Sequence, residues 1–384
     1  MITEPKDAFE YLEMLREQQG KESFDFRDIG GYLEEKARRM NIPLFGQFEL
    51  TPLCNLNCGM CYVHLKEHQM QGRSLLTAAE WMSLMQDAFS AGMYEAALTG
   101  GECLTYPAFD EIYLFLQSLG CHVTVMTNGI LLDEERIRFF MDHPPSLIQL
   151  TLYGADEETY ERVTGRRVFH QVLNHIHMAR EAGFDLLISI TPTPALGEDV
   201  FETLRLARSL SEYVTINTSL FVSPGEDRHM EDIEKLDDAF YARIFRFDRE
   251  LRGRQIREFP EDELPEPGGP CSEGCESGLV CGGGRSGFVI DWKGGMRICN
   301  RFEAAGFPLQ DGFEKAWEAV NKMANGWPRF SGCTGCFYEE VCHQCAAWCR
   351  DIAEPGKQPK AICKRTRFMV SQGAASPPAC YPFI

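Results

Sequence analysis

Three cysteines in the spacing C-x3-C-x2-C, Cys54, Cys58 and Cys61, follow directly on the alternating run Phe45 to Leu50, which reads as a β-strand. A loop this short can fold three sulfurs onto one face of an iron–sulfur cube and leave the fourth iron without a protein ligand. A structural zinc normally closes with four ligands. No fourth cysteine follows here, and His64 and His68 do not complete a finger pattern.

The rest of the composition agrees with a metal or redox protein. Sixteen cysteines in a chain with no secretory start fit metal binding better than a disulfide scaffold, which implies a cytoplasmic and anoxic setting. A formal charge of −19 argues against a nucleic-acid partner, since phosphate binding needs a basic patch. No stretch reaches the ~18 apolar residues of a membrane span.

From 45 to 222 the chain alternates strand-like and helix-like segments. Strands are expected at Phe45–Leu50, Tyr94–Leu98, His122–Met126, Leu147–Leu152, Leu186–Thr191 and Val214–Phe221. A helix should start at Thr77, with others over 109–119 and 133–141. Six strand–helix repeats argue for an α/β fold with a parallel sheet and helices outside. Chemistry in such wrapped sheets collects at the strand carboxyl ends, where the cysteine triplet lies. Residues 1–44 read as a helical lead-in, 223–270 as a helical connector (229–252) and Pro/Gly linker, and 271–384 as a separate Cys-rich unit. His170, His175 and His177 read as surface or packing residues, because positions two apart do not share a helix face.

The triplet, with Tyr62 directly after it at the end of a first strand, resembles the radical SAM enzymes. The resemblance implies a partial (β/α)6 barrel and a [4Fe-4S] cluster whose open iron binds S-adenosylmethionine. Reductive cleavage of that cofactor yields a 5′-deoxyadenosyl radical. Companion motifs extend the likeness. Gly100, Gly101 and Glu102 after the second strand are similar to the family's element that holds the methionine amino group, although Cys103 stands where proline is usual. The glycines would let backbone approach a ligand, and Glu102 would accept from an ammonium. Thr151 on the fourth strand and Arg162 beyond it take the family's ribose and carboxylate roles, with Thr191 and Met60 as further cofactor contacts. Thr127-Asn128-Gly129 is a weaker signal, equally readable as a turn.

Eleven cysteines lie beyond residue 270. Phe288–Asp291 and Met296–Cys299 flank Trp292–Gly295 as a β-hairpin. Spacing alone does not separate zinc from iron–sulfur here. Following such a barrel, the pattern closely resembles the SPASM extension, an α+β domain with two auxiliary [4Fe-4S] clusters. The resemblance assigns Cys275, Cys281 and Cys299 to the first, with Cys345 or, second, Cys349 completing it in place of the family's cysteine at Ala346. It assigns Cys333, Cys336, Cys342 and Cys363 to the second. Sulfatase-maturing relatives carry an aspartate after the hairpin cysteine, where this chain has Asn300, which cannot take a proton.

The resulting expectation is a peptide maturase that forms a thioether or carbon–carbon crosslink in a ribosomally made peptide. It would use a separate leader-recognition protein and a flavodoxin or ferredoxin donor. The alternatives are a radical SAM dehydrogenase of a small alcohol or amine, and a non-enzymatic zinc-binding protein.

Overall fold

A computed structural model of the chain describes residues 10–13, 16, 26–63, 65, 67–70, 72–218, 236–254, 256, 258–268, 279, 281–302, 306–328, 332–333, 336–339, 341–342, 345, 347 and 359–374. Helix α1 (Phe26–Met40) leads into β1 (Phe45–Thr51). Then follow α2 (Ala78–Ser90), β2 (Glu95–Gly100), α3 (Phe109–Ser118), β3 (His122–Thr127), α4 (Glu134–Asp142) and β4 (Leu147–Thr151). The alternation continues with α5 (Glu157–Thr164), α6 (Phe169–Glu181), β5 (Leu186–Ile190), α7 (Val200–Leu210) and β6 (Tyr213–Ile216).

The starts of these helices are written locally. Thr77 and Glu80 form a reciprocal capping box on α2, with Glu80 N donating to Thr77 Oγ1 at 3.3 Å and Thr77 N to Glu80 Oε2 at 2.7 Å. Asp133 and Asp156 cap α4 and α5 in the same single-sided way. The connector helix, α8 (Asp238–Leu251), starts later than expected because Asp237 caps it; the segment 229–235 lies outside the described residues.

β1 to β6 are parallel and ordered as in the sequence, each pairing with the next. Strand alternation gives this sheet two unlike faces. Phe48, Leu50, Leu98, Val125, Ile148, Leu150, Ile188 and Ile190 share the register that packs under the helices and are fully buried. The opposite, inner register carries Gln47, Glu49, Thr51, Thr99, Gln149, Thr151 and Ser189. The barrel interior is therefore polar, and the apolar core lies between sheet and helices.

The hairpin does not form a separate layer. β7 (Gly287–Ile290) pairs in parallel with β1, and β8 (Gly295–Arg297) and β9 (Phe307–Pro308) continue the same sheet, giving the order β6-β5-β4-β3-β2-β1-β7-β8-β9. The sheet thus runs past the boundary expected at residue 270. The reason is that β7 is itself apolar on its outer face: Phe288 meets Phe48 edge-on at 5.9 Å and Phe313 of α9 (Phe313–Asn325) at 5.2 Å. The last described helix is α10 (Lys360–Ser371). No described helix is long and apolar enough to cross a membrane.

Candidate functional site

The cysteine loop leaves β1 at the sheet's carboxyl edge and is held from three sides. From β2, Gly101 N donates to Thr51 O (2.7 Å) and Glu102 N to Leu53 O (2.9 Å). From α5, Asn57 N bonds to Thr164 O (3.0 Å), and beyond that helix Arg166 Nη1 reaches Asn55 O (3.3 Å). From β3, Asn128 Nδ2 donates to Asn55 Oδ1 (2.7 Å) and lies 3.6 Å from Cys54 Sγ, which also accepts from Leu56 N at 3.4 Å. Val63, Leu65 and Trp292 form a small apolar cluster under the far end of the loop, so the hairpin turn buttresses it.

Gly100, Gly101 and Glu102 also have partners within the protein. The glycines serve the cysteine loop itself: a Cβ on Gly100, whose φ is +135°, would lie 2.3 Å from Thr51 O, and one on Gly101 would lie 2.3 Å from Leu53 O. The Glu102 carboxylate is 1% exposed and committed internally, accepting from Leu104 N (3.1 Å), Thr127 Oγ1 (2.8 Å) and Asn128 N (2.7 Å). It ties β2 to β3.

Arg162 departs from its expected role. Its guanidinium pairs with Asp199, donates to Ala195 O at 2.6 Å and so turns toward the loop after β5. Arg166, one short turn later, is the arginine that reaches the cysteine loop. Thr151 ends β4 and Thr191 follows β5, both half-buried on the same carboxyl edge; Met60 is half-buried within the loop. His175 is a packing residue, its Nδ1 2.9 Å from Gly129 O.

The three loop thiols are half-buried and mutually felt. Burial pushes Cys54 up to about 12, with the charges of Glu102 and Cys61 adding to the rise. Burial pushes Cys58 up further, helped by Cys61 and Cys54. Thiols so placed ionise only against a strong positive charge, which bound iron supplies. No three His, Cys, Asp or Glu among the described residues converge on a single-ion point. An iron–sulfur cube asks for a wider triangle, because each sulfur binds a different iron. With hydrogen-bond donors already aimed at Cys54, the donor set fits such a cluster.

Two further thiol groups form. Cys281, Cys299 and Cys345 lie together: burial, then Cys345, raise Cys281, and burial, then Cys281 and Cys345, push Cys299 up to about 12. Cys333, Cys336, Cys342 and Cys363 line one small cavity with Tyr338 and Thr366. Gly268 N donates to Cys336 Sγ (3.4 Å) and Thr366 Oγ1 to Cys342 Sγ (3.5 Å). Cys275 and Cys349 lie outside the described residues. Cys103 is fully buried, its thiol 3.2 Å from Met126 O, and Cys121 is buried too.

A fourth feature was not anticipated. Asn300 Nδ2 donates to the Tyr62 hydroxyl at 3.0 Å, and that hydroxyl donates to Glu49 Oε1 at 3.4 Å. One chain of contacts thus joins the residue after Cys61, the residue after Cys299 and a buried carboxylate on the inner face of β1. The only trace in the sequence is a glutamate in the inward register of an apolar strand.

The Radical SAM superfamily description matches residues 48–207. The sporulation killing factor maturation protein SkfB of Bacillus subtilis is 24% identical over 174 residues, 45% of this chain and 42% of that protein. The antilisterial bacteriocin subtilosin biosynthesis protein AlbA of the same organism is 25% identical over 281 residues, 73% of this chain and 59% of that protein. The chain spans about half the length of the curated relatives it matches. Among solved structures, Streptococcus suis SuiB with S-adenosylmethionine superposes with a TM-score of 0.63 at 17% identity, covering 92% of this chain and 86% of that one. SuiB bound to its precursor peptide SuiA gives 0.62 at 15% identity, over 93% and 88%. At such identities the likeness is one of fold.

Proposed function

We propose that this chain, which carries a radical SAM domain at residues 48–207, cleaves S-adenosylmethionine reductively and crosslinks a ribosomally made peptide. The observation that carries the reading is the Cys54–Cys61 loop fixed at the carboxyl edge of the sheet, with hydrogen bonds already aimed at Cys54. Cys54, Cys58 and Cys61 would hold a [4Fe-4S] cluster; bound there, it supplies the electron and the open iron that the cleavage needs. The backbone of Gly100 and Gly101, with Met60, Thr151, Thr191 and Arg166, would line the nucleotide. The two later thiol groups would hold auxiliary clusters, Cys345 completing the set begun by Cys281 and Cys299.

A peptide substrate is supported by the names of relatives, which include a PqqA peptide cyclase and SuiB with its precursor peptide. It is supported too by donors left over in the barrel. Gln47 Nε2 and Arg297 Nε are buried and have no hydrogen-bond partner among the described residues. Orphaned donors cost about 1–3 kcal/mol each, which a peptide carbonyl would recover on binding. Reductive cleavage consumes one electron per event, so flavodoxin or ferredoxin is proposed as donor, and a separate leader-recognition protein as partner.

Anaerobic incubation with dithionite and S-adenosylmethionine tests the first half. The expected result is 5′-deoxyadenosine from the wild type and none from Cys58→Ala. A colourless, zinc-filled protein that makes none would overturn the reading.

A further inference from the structure

Joining two atoms of a peptide with loss of two hydrogens disposes of one hydrogen atom, one electron and one proton. The hydrogen atom goes to the deoxyadenosyl radical. The electron goes to an iron–sulfur cluster, the class of acceptor that the Cys281 group fits. The proton needs a base, and three buried carboxylates stand near the carboxyl edge of β1 and its neighbours: Glu102, Asp291 and Glu49.

Two of them are already committed. Glu102 accepts from three donors across β2 and β3. Asp291 accepts from Lys293 N and Gly295 N, both at 3.0 Å, and pairs with Arg297 Nη2 at 2.6 Å. Each carboxyl group is already engaged by three partners in the protein. Glu49 is different. It is 3% exposed and receives one long hydroxyl bond, from Tyr62 at 3.4 Å. Among the described residues the Tyr62 hydroxyl is the hydrogen-bond partner of the Glu49 carboxyl, so a proton reaches Glu49 by way of it.

We propose that Glu49 is the proton acceptor of the crosslinking step, reached through the Tyr62 hydroxyl that Asn300 holds in place. This rests on the radical SAM reading above. The substrate S–H bond breaks as its proton passes to the Tyr62 oxygen, while the Tyr62 proton passes to Glu49 Oε1. No net charge is left on the tyrosine, and the electron pair of the broken bond stays on the substrate atom that bonds to carbon. One electron of the resulting radical anion would pass to the cluster that Cys281, Cys299 and Cys345 would hold, which balances the sum.

The surroundings suit a group that must both take and release a proton. Glu49 faces Arg297 on β8, Asp291 and Lys293 of the hairpin, and Tyr62 of the cysteine loop. Burial pushes its carboxyl up to about 7; Arg297 pulls it down and Asp291 pushes it up again. A base with that value is open above neutrality and recharged below it. Product formation should therefore rise with pH through about 7.

The test uses reconstituted anaerobic holoenzyme with S-adenosylmethionine and a pool of synthetic cysteine-containing peptides as probe. Crosslinked product is counted per 5′-deoxyadenosine. Glu49→Gln, which keeps the shape, should lower that ratio about 100-fold. It should also erase the rise near neutral pH, while Glu49→Asp restores part of both. Tyr62→Phe should resemble Glu49→Gln, and it covers the case in which the first variant folds poorly. Infrared difference spectra give a readout independent of turnover. A protonated-carboxyl band should fade as pH rises through about 7 in the wild type and be missing in Glu49→Gln. A wild-type product ratio and pH profile in Glu49→Gln would overturn this inference alone. A wild type that makes no deoxyadenosine would overturn the radical SAM reading and this with it.

Discussion

The first cysteine loop and the C-terminal thiol groups are built on different principles. Around Cys54, the loop backbone is pinned to β2 and α5, and the Asn55 side chain to Asn128 just after β3, by hydrogen bonds of 2.7–3.0 Å. Every anchor comes from the parallel sheet or a helix packed on it. Cys333, Cys336 and Cys342 instead sit on a run of turns, with Cys336 N bonding back to Cys333 O at 3.2 Å, and only Cys363 comes from a regular element, α10. One site is shaped by the fold before metal arrives. In the other, metal would do much of the shaping.

That contrast can be broken in graded ways. The largest expected effect is Cys58→Ala, which should reduce deoxyadenosine to background and leave the thermal midpoint of the barrel almost unchanged, because the loop is anchored by backbone. Next is Gly101→Ala. A Cβ 2.3 Å from Leu53 O forces β2 and the loop apart, so a loss of about 3–5 kcal/mol is expected in denaturant titration, with poor iron uptake.

Removing iron with a chelator should separate the regions directly. The amides of Cys336, Glu339 and Val341 should lose hydrogen-exchange protection, while those of β1 and residues 51–57 keep theirs. Uniform loss across both would contradict the contrast. Asn128→Ala removes a donor to Cys54 and to Asn55 at once, so iron affinity at the first site should fall about 10-fold, measured by competition. The smallest effect is assigned to Arg162→Ala. Its partner is the exposed Asp199, so S-adenosylmethionine affinity should change by less than about threefold and stability by about 0–1 kcal/mol.

The sequence made the barrel legible because local signals agreed with the global fold. The helix start at Thr77, the alternating strands and the aspartate before α4 each place an element near its observed position. What it hid was pairing between distant segments. Nothing local says that Gly287–Ile290 adds to the far side of β1, and with that pairing come Arg297 and Asp291 beside Glu49 and Asn300 against Tyr62. The partners of Gly100, Gly101 and Glu102 within the protein are hidden for the same reason: Thr51, Leu53, Thr127 and Asn128 come from other strands and loops. Asn128 was undervalued as a turn residue because its two side-chain partners lie more than seventy positions away.

The central claim is an iron left open by the three-cysteine loop and able to take S-adenosylmethionine. Electron paramagnetic resonance of the dithionite-reduced protein, before and after adding that cofactor, addresses it most directly. The account expects one cluster signal whose line shape changes on addition and which Cys54→Ala removes. A spectrum indifferent to the cofactor, with the signal intact in Cys54→Ala, would contradict it.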